Sequence, residues 1–241
     1  MLHKTRGIVL KTTAYSESSV VVQIFTELFG IQSYLINGVK KPKAKIRMNM
    51  LQSLHLVELV AYHKPNIALQ RVSELHPQPI FKSIPYDTIK STMVMFLNEV
   101  LYKSIRQQHT DEQLFSFLHH AIAWLDETPQ TNVNFHLSFL LKLSRFLGFA
   151  PSLEQTKQQQ YFDLQEGEFK YRQPVHPYYL EKEEADQFIL LYTTSFEQLG
   201  QLNFNNATRR LLLSKILIFY NLHTASFGEI KSHHILEEIL S

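Results

Sequence analysis

Apolar and polar residues alternate along about the first 75 positions, and this period of two predicts β-strands. The alternation is clearest at residues 20–25 and 31–36, where β-branched residues are frequent. Further strands are predicted to begin at Gly7, to cover residues 50–62 with a bend or bulge, and to cover residues 67–75. Five short strands without a long helix predict a closed barrel of the OB type.

Beyond the proline-containing residues 76–79, apolar positions recur at the spacing of amphipathic helices. This spacing predicts one helix from Pro85 to about Gln108, a second after a capping box at residues 110–113, and a third over residues 135–147. The third is apolar on nearly all sides, which predicts a central position, and Gly148 follows it as a left-handed cap. Later helices are predicted at residues 180–199, 206–222 and 227–240.

Residues 152–179 interrupt the helical spacing. Residues 155–160 are polar and rich in glutamine, and two short alternating runs flank Glu166 and Gly167. This arrangement predicts a small hairpin. We therefore predict an α+β protein with an OB-fold domain at residues 1–78 and a helical domain at residues 79–241, which carries the hairpin insertion at about 152–179.

Positive charge is concentrated at residues 38–47, between the third and fourth predicted strands. The five cations of this segment are Lys40, Lys41, Lys43, Lys45 and Arg47. No acidic residue occurs between Glu27 and Glu58, and Pro42 argues against a helix or a central strand, so a mobile basic loop is predicted. Clustered lysines suit a polyanion that is recognised by charge rather than by base sequence. A solvated loop without a ligand is the alternative.

Charge is unevenly distributed along the chain, although the net charge is only +2. Residues 1–76 contain ten Lys/Arg and four Asp/Glu, whereas the remainder contains fourteen and eighteen. This asymmetry indicates nucleic acid at the first part and protein partners at the second. The apolar runs are shorter than the roughly 20 residues that cross a bilayer. We expect a cytoplasmic protein.

Motifs of enzymes and metal sites are missing from the sequence. The seven glycines form no phosphate-binding loop, no dinucleotide fingerprint and no nucleophile elbow. The absence of cysteine excludes disulfides and thiolate zinc ligands. The adjacent pairs His119–His120 and His233–His234 point to different helix faces, which does not favour a shared metal ion. We expect a protein that is not an enzyme and holds no metal or cofactor.

Several segments occur in the order and spacing of a known family. They are Thr-Arg-Gly-Ile-Val-Leu-Lys-Thr at 5–12, Tyr-Ser-Glu-Ser-Ser at 15–19, Phe-Gly at 29–30, Gly-Val-Lys-Lys-Pro-Lys at 38–43, Phe-Leu-Gly-Phe-Ala-Pro at 146–151, and Arg210-Leu-Leu-Leu, Tyr220-Asn-Leu-His and Leu236 in the tail. In this order the whole chain resembles the RecO family of recombination mediator proteins.

The resemblance implies a protein that binds single- and double-stranded DNA and anneals complementary strands. It also implies work with RecR and the acidic C-terminal tail of single-stranded-DNA-binding protein to load the recombinase RecA. Many members carry a four-cysteine zinc module after the Leu-Gly-Phe segment, but residues 152–179 here contain no cysteine. The hairpin is therefore expected to be held by packing of Phe162, Leu164, Phe169 and Tyr171 rather than by zinc.

The predicted DNA-binding residues are the cations in and around the basic loop. Lys40, Lys41, Lys43, Lys45 and Arg47 are expected to neutralise phosphates, and Arg6, Lys11 and Arg71 to extend the track. Five phosphate contacts predict a log–log salt dependence of about −3.5, at roughly −0.7 each. The aromatic residues Tyr15, Phe25, Phe29, Tyr34 and Tyr62 are expected to be mostly core, each with a smaller chance of stacking on a base.

A second set of residues is predicted to bind the acidic tail. Lys142 and Arg145 lie among Phe139, Leu143 and Phe146 on the third helix, although both cations would also suit a solvent-exposed face. Arg209, Arg210 and Lys215 form another candidate basic patch. Two other functions remain open: an RNA-binding OB protein, which would recognise the 2′-hydroxyl, and a protein-interaction adaptor that binds no nucleic acid.

Overall fold

The computed structural model of the chain describes residues 2–65, 67–105, 110–154 and 160–241. The chain forms two compact units, Met1–Pro129 and Gln130–Ser241. The predicted end of the first helix at Gln108 and most of the glutamine-rich segment lie outside the described residues. Within those ranges, no helix combines the length and the apolar character that crossing a membrane requires.

Five strands at the start of the first unit close into a barrel, which confirms the predicted OB-type architecture. They are β1 (Leu2–Ala14), β2 (Val20–Thr26), β3 (Gly30–Ile36), β4 (Leu56–Tyr62) and β5 (Leu69–Pro77). The order around the barrel is β1, β2, β3, β5, β4, and β4 also pairs with β1. All pairs are antiparallel except β3 with β5, which are parallel over only three residues.

The long strand β1 closes the barrel because it pairs with both β2 and β4. Its register against β2 shifts between Val9 and Lys11, which marks a bulge where the strand bends. Gly7 of β1 has no room for a side chain, since a Cβ there would sit 2.5 Å from the Ile24 side chain of β2. The alternating residues of β2 then face inward, and Val22 and Ile24 are fully buried.

The prediction of one strand over residues 50–62 is wrong in its first half. A short 3-10 helix covers Met48–Leu51, and the strand β4 begins only at Leu56. Leu51 and Leu54 are buried at 2% and 0% exposure. The apolar run therefore reflects side chains buried by a turn and a 3-10 helix, which do not follow the period of a strand.

Two helices complete the first unit: α1 (Thr88–Ser104) and α2 (Glu112–Glu127). The Asp87 carboxylate accepts the N–H groups of Ile89 and Lys90, so α1 begins three residues after Pro85. The cap of α2 is Asp111, not the predicted Thr110. β5 also extends through Pro77, so the predicted linker at residues 76–79 is partly strand. The predicted boundary between the OB-fold domain and the helical domain, at residues 78 and 79, stays a prediction.

A buried carboxylate fixes the segment between β5 and α1. The oxygens of Asp126 accept the backbone N–H groups of Lys82, Ser83 and Ile84 at 2.8 to 2.9 Å. The buried Lys90 donates to the Ser83 hydroxyl at 2.7 Å and to the Thr128 carbonyl at 2.5 Å. Burial alone would raise the pKa of Asp126, but these three amide donors and the nearby ammonium outweigh it and lower that pKa.

The second unit combines helices with a small three-stranded sheet. Its elements are α3 (Phe135–Phe146), β6 (Tyr161–Asp163), β7 (Glu168–Lys170), β8 (Tyr179–Glu181), α4 (Lys182–Thr193), α5 (Asn206–His223) and α6 (His233–Ile239). Phe135, Phe139 and Leu140 are fully buried, which confirms the central position of α3. Gly148 has a φ of +88°, and the next N–H bonds back to Ser144, as a left-handed cap requires.

Three predicted elements of the second unit differ from the structure. The inserted hairpin gains a third strand, because β8 pairs with β6. The helix predicted over residues 180–199 therefore starts only at Lys182, and it ends at Thr193. The last helix is much shorter than residues 227–240, because Gly228 adopts a φ of +67° and α6 begins at His233.

Candidate nucleic-acid interface

The basic loop is folded into two consecutive turns. The Lys41 N–H donates to the Gly38 carbonyl at 3.1 Å, and the Ala44 N–H donates to the Lys41 carbonyl at 3.0 Å. Gly38 has a φ of +73°, which favours glycine. Val39 is 4% exposed and Ile46 packs against the barrel core, so the loop is anchored near both ends. All five predicted cations, Lys40, Lys41, Lys43, Lys45 and Arg47, are exposed.

The loop borders a groove at the weakest seam of the barrel. Parallel pairing between β3 and β5 ends at Leu35 and Arg71, and the groove lies where the two strands are no longer paired. Four cations line it: Lys41, Lys43, Lys45 and Arg71. The other described residues that line it are aliphatic, small or neutral, and none is acidic or aromatic. Such a groove offers positive charge over an aliphatic floor.

The structure therefore divides the predicted basic residues into two groups. Arg71 is distant from the loop in sequence, and the parallel pairing of β3 with β5 brings it to the groove. Lys40 and Arg47 belong to the loop and are exposed, but they do not line the groove. In the described part of the chain, the four groove cations have no carboxylate partner.

Arg6 is already engaged within the first unit. Its guanidinium donates to both carboxylate oxygens of Glu27, at 2.5 and 2.9 Å, and lies 5.5 Å from the centre of the Phe115 ring. The hydrogen bond to Glu27 raises the pKa of Arg6, and the same bond lowers the pKa of Glu27. Arg6 thus links β1, the β2–β3 turn and α2, and it does not line the groove.

Lys11 also has partners inside the first unit. Its ammonium donates to the Tyr102 hydroxyl at 3.1 Å and lies 4.5 Å from the centre of that ring. This contact joins the barrel to α1. Lys11 is exposed, but it does not line the groove. Neither Arg6 nor Lys11 lines the groove, and the track predicted from them to the loop stays a prediction.

The aromatic residues of the barrel separate by exposure. Phe25 and Tyr34 are each 1% exposed, and burial raises the pKa of Tyr34 to about 12. Phe29 stacks on His63, with ring centres 4.0 Å apart. Only Tyr15 and Tyr62 are substantially exposed, at 63% and 46%. The expectation that most of these rings serve the fold agrees with these positions.

The residues predicted to bind the acidic tail are not assembled as expected. Phe139 is fully buried, so the prediction that it lines a surface groove is wrong. Lys142 donates to the Tyr192 carbonyl at 2.7 Å, and burial lowers its pKa. Arg145 is exposed and Phe146 is half-buried. The period of α3 could not reveal these contacts, because α4 and the 3-10 helix Phe196–Gln201 supply them.

A small pocket lies between α3, α5 and α6. Its described lining is His136, Asn206, Arg209, Arg210, Leu213, Leu236, Glu237 and Leu240. Arg209 donates to the Phe204 carbonyl and the Asn206 amide oxygen, and Arg210 donates to the Ser241 hydroxyl at 2.6 Å. Burial lowers the pKa of His136 to about 3, so this imidazole is neutral. Lys215 donates to the Tyr179 carbonyl at 3.0 Å instead of joining the patch.

The inserted sheet does not fit a zinc module. Asp163 accepts the N–H groups of Gln165 and Glu166, and its other oxygen lies 3.2 Å from His176. Among the described residues, no three His, Asp or Glu side chains converge as metal ligands. Phe162, Leu164 and Phe169 are buried as predicted, whereas Tyr171 is 57% exposed and does not hold the hairpin.

The fold and the groove define an OB-barrel protein with a helical C-terminal part, and comparison with known proteins gives the family. The family model "Recombination protein O N terminal" matches residues 1–79, and "Recombination protein O C terminal" matches residues 85–232. The chain is 37% identical to DNA repair protein RecO of Bacteroides fragilis over 240 residues, 99% of both chains. It is 35% identical to that of Phocaeicola vulgatus over 241 residues, which cover both chains completely. The chain therefore belongs to the RecO family of DNA repair proteins.

Proposed function

We propose that this protein is a non-enzymatic recombination mediator that binds single- and double-stranded DNA through the groove beside the basic loop and anneals complementary strands. The observation that carries the proposal is the meeting of Lys41, Lys43, Lys45 and Arg71 in one open groove whose described lining contains no carboxylate. Membership of a DNA repair family supports DNA as the polyanion. A mediator of this kind would act at the nucleoid, in the cytoplasm.

The composition of the groove suits annealing. Two complementary strands repel each other through their phosphates, and bound lysines reduce that repulsion. Contacts from lysine to phosphate do not depend on base identity, so one groove serves any pair of complementary strands. The described lining has no aromatic side chain, so the groove residues themselves contact a strand through its phosphates and not through its bases.

Family membership also supports two protein partners, RecR and the acidic tail of single-stranded-DNA-binding protein, with RecA loaded indirectly. For the tail, the pocket between α3, α5 and α6 combines two arginines, Arg209 and Arg210, and one carboxylate, Glu237, with the apolar side chains Leu213, Leu236 and Leu240. We expect Arg210→Glu to weaken binding of a tail peptide. Arg145→Glu, on the exposed part of α3, tests the location predicted from the sequence. Unchanged affinity in both variants would remove both sites.

The function is tested by titrating the protein into labelled single-stranded DNA, duplex DNA and RNA of the same sequence, together with an annealing assay. We expect salt-dependent binding to both DNA forms and faster annealing by the wild type than by a Lys41→Ala, Lys43→Ala, Lys45→Ala variant. Preferential binding to RNA would favour the RNA-binding alternative. Binding to no nucleic acid, with a folded protein, would favour the adaptor and refute the proposal.

A further inference from the structure

A row of side chains crosses the outside of the barrel at the level of the groove. From β3 to β1 it contains Leu35, Arg71, Tyr62 and Leu2, each directly opposite the next in the strand register. Residues that are directly opposite project to the same face of a sheet, and neighbouring strands lie about 4.8 Å apart. Leu35 and Arg71 line the groove, so Tyr62 is one strand away from a groove cation.

Tyr62 is well placed to offer its ring to a ligand. It is 46% exposed, and its neighbour Arg71 is also exposed. Leu2, on its other side, is 49% exposed and adds apolar surface beside the ring. The row therefore continues the groove from a cation to an aromatic ring and then to an aliphatic side chain.

The other aromatic residues of the barrel strands and their turns do not offer the same combination. Phe25 and Tyr34 are in the core, and Phe29 already has a stacked imidazole on one face. Tyr15 is 63% exposed, but it lies in the β1–β2 loop, where the charged residue is the acidic Glu17. Tyr62 thus combines an exposed ring with a neighbouring groove cation.

We propose that Tyr62 is a stacking platform for one unpaired base of a DNA strand whose phosphates lie along the groove. This inference rests on the proposed DNA binding and adds a preference for single strands to it. The groove cations alone do not distinguish a single strand from a duplex, since both carry phosphates. A base in a duplex is already stacked on its neighbours, whereas an unpaired base is free to stack on an exposed tyrosine.

Three variants test the proposal. Tyr62→Ala removes the ring, Tyr62→Phe keeps it, and Tyr86→Ala removes a matched tyrosine that is 85% exposed. Tyr86 lies in the segment between β5 and α1 and does not line the groove. Thermal unfolding of each variant checks that the barrel is still folded.

We expect Tyr62→Ala to weaken single-strand binding by roughly five- to 140-fold, the range for one base stacked on an aromatic side chain. Duplex affinity and the salt slope should stay unchanged, because the phosphate contacts remain. Tyr62→Phe and Tyr86→Ala should bind as the wild type does. In addition, quenching of 2-aminopurine fluorescence in a bound oligonucleotide should be lost with Tyr62→Ala.

Three results would overturn the stacking proposal while leaving the groove intact. The first is wild-type single-strand affinity in Tyr62→Ala. The second is an equal loss of affinity for single strands and for duplex in Tyr62→Ala. The third is that Tyr15→Ala, and not Tyr62→Ala, shows the expected loss of single-strand affinity. Failure of the groove itself is distinguishable, because the wild type would then show no salt-dependent binding, and this result would overturn both proposals.

Discussion

Replacement of the three groove lysines should change the salt dependence of DNA binding. With four cations in the groove, each contacting one phosphate, single-strand binding is expected to fall with salt at a log–log slope of about −2.8. The Lys41→Ala, Lys43→Ala, Lys45→Ala variant keeps only Arg71, so its slope should be about −0.7. Between about 50 and 200 mM salt, wild-type affinity should fall roughly 50-fold and the variant's less than threefold.

The loop itself provides the matched control. Lys40 and Arg47 are exposed cations of the same loop, but they do not line the groove. A Lys40→Ala, Arg47→Ala variant should therefore keep the slope of about −2.8. If all five loop cations contacted phosphates equally, as the sequence alone suggested, the wild-type slope would be about −3.5. The slope of this control variant would then be shallower than that of the wild type by about 1.4.

Fluorescence anisotropy of a labelled oligonucleotide, titrated at several salt concentrations, measures these slopes. Both variants should unfold close to the wild-type temperature, because exposed lysine heads contribute little to stability. The reasoning is refuted if the triple variant remains folded and keeps the wild-type slope. Equal effects of the triple and the control variant would instead refute the special role of the groove.

Three further predictions concern stability and metal content. Arg6→Ala should lower the free energy of unfolding by about 1 kcal/mol in urea titrations, with unchanged DNA affinity, because Arg6 pairs with Glu27; a loss of affinity alone would contradict this. Asp126→Ala should cost about 3 kcal/mol, since three amide donors lose their acceptor. Because the pKa of Asp126 is lower in the folded than in the unfolded protein, its charge stabilises the fold above the unfolded pKa of about 3.9, and this stabilisation is lost as pH falls through the folded pKa. The stabilities of the wild type and the variant should therefore converge in acid. Elemental analysis should find no stoichiometric zinc, because the inserted sheet has no thiolate.

The sequence determined those features that depend on neighbouring residues. The alternation at residues 20–25 was sufficient for β2, because a strand with one buried face requires that period. Gly148 identified the end of α3, because few other residues adopt a positive φ. Pro42 and the surrounding lysines identified an exposed loop. Proline cannot donate a backbone hydrogen bond, and the charged groups of lysines stay in water.

Tertiary structure decided which of the charged residues are available to a ligand. In the sequence, Arg6 and Arg71 were equivalent additions to one basic track. The β2–β3 turn brings Glu27 to Arg6, whereas the parallel pairing of β3 with β5 brings Arg71 to the lysines. On α3, the sequence allowed Lys142 to be a surface residue, but in the structure its ammonium donates to the Tyr192 carbonyl of α4. Local patterns specify strands, helices and turns, but the partner of a charge is set by segments distant in sequence, which only the folded chain brings together.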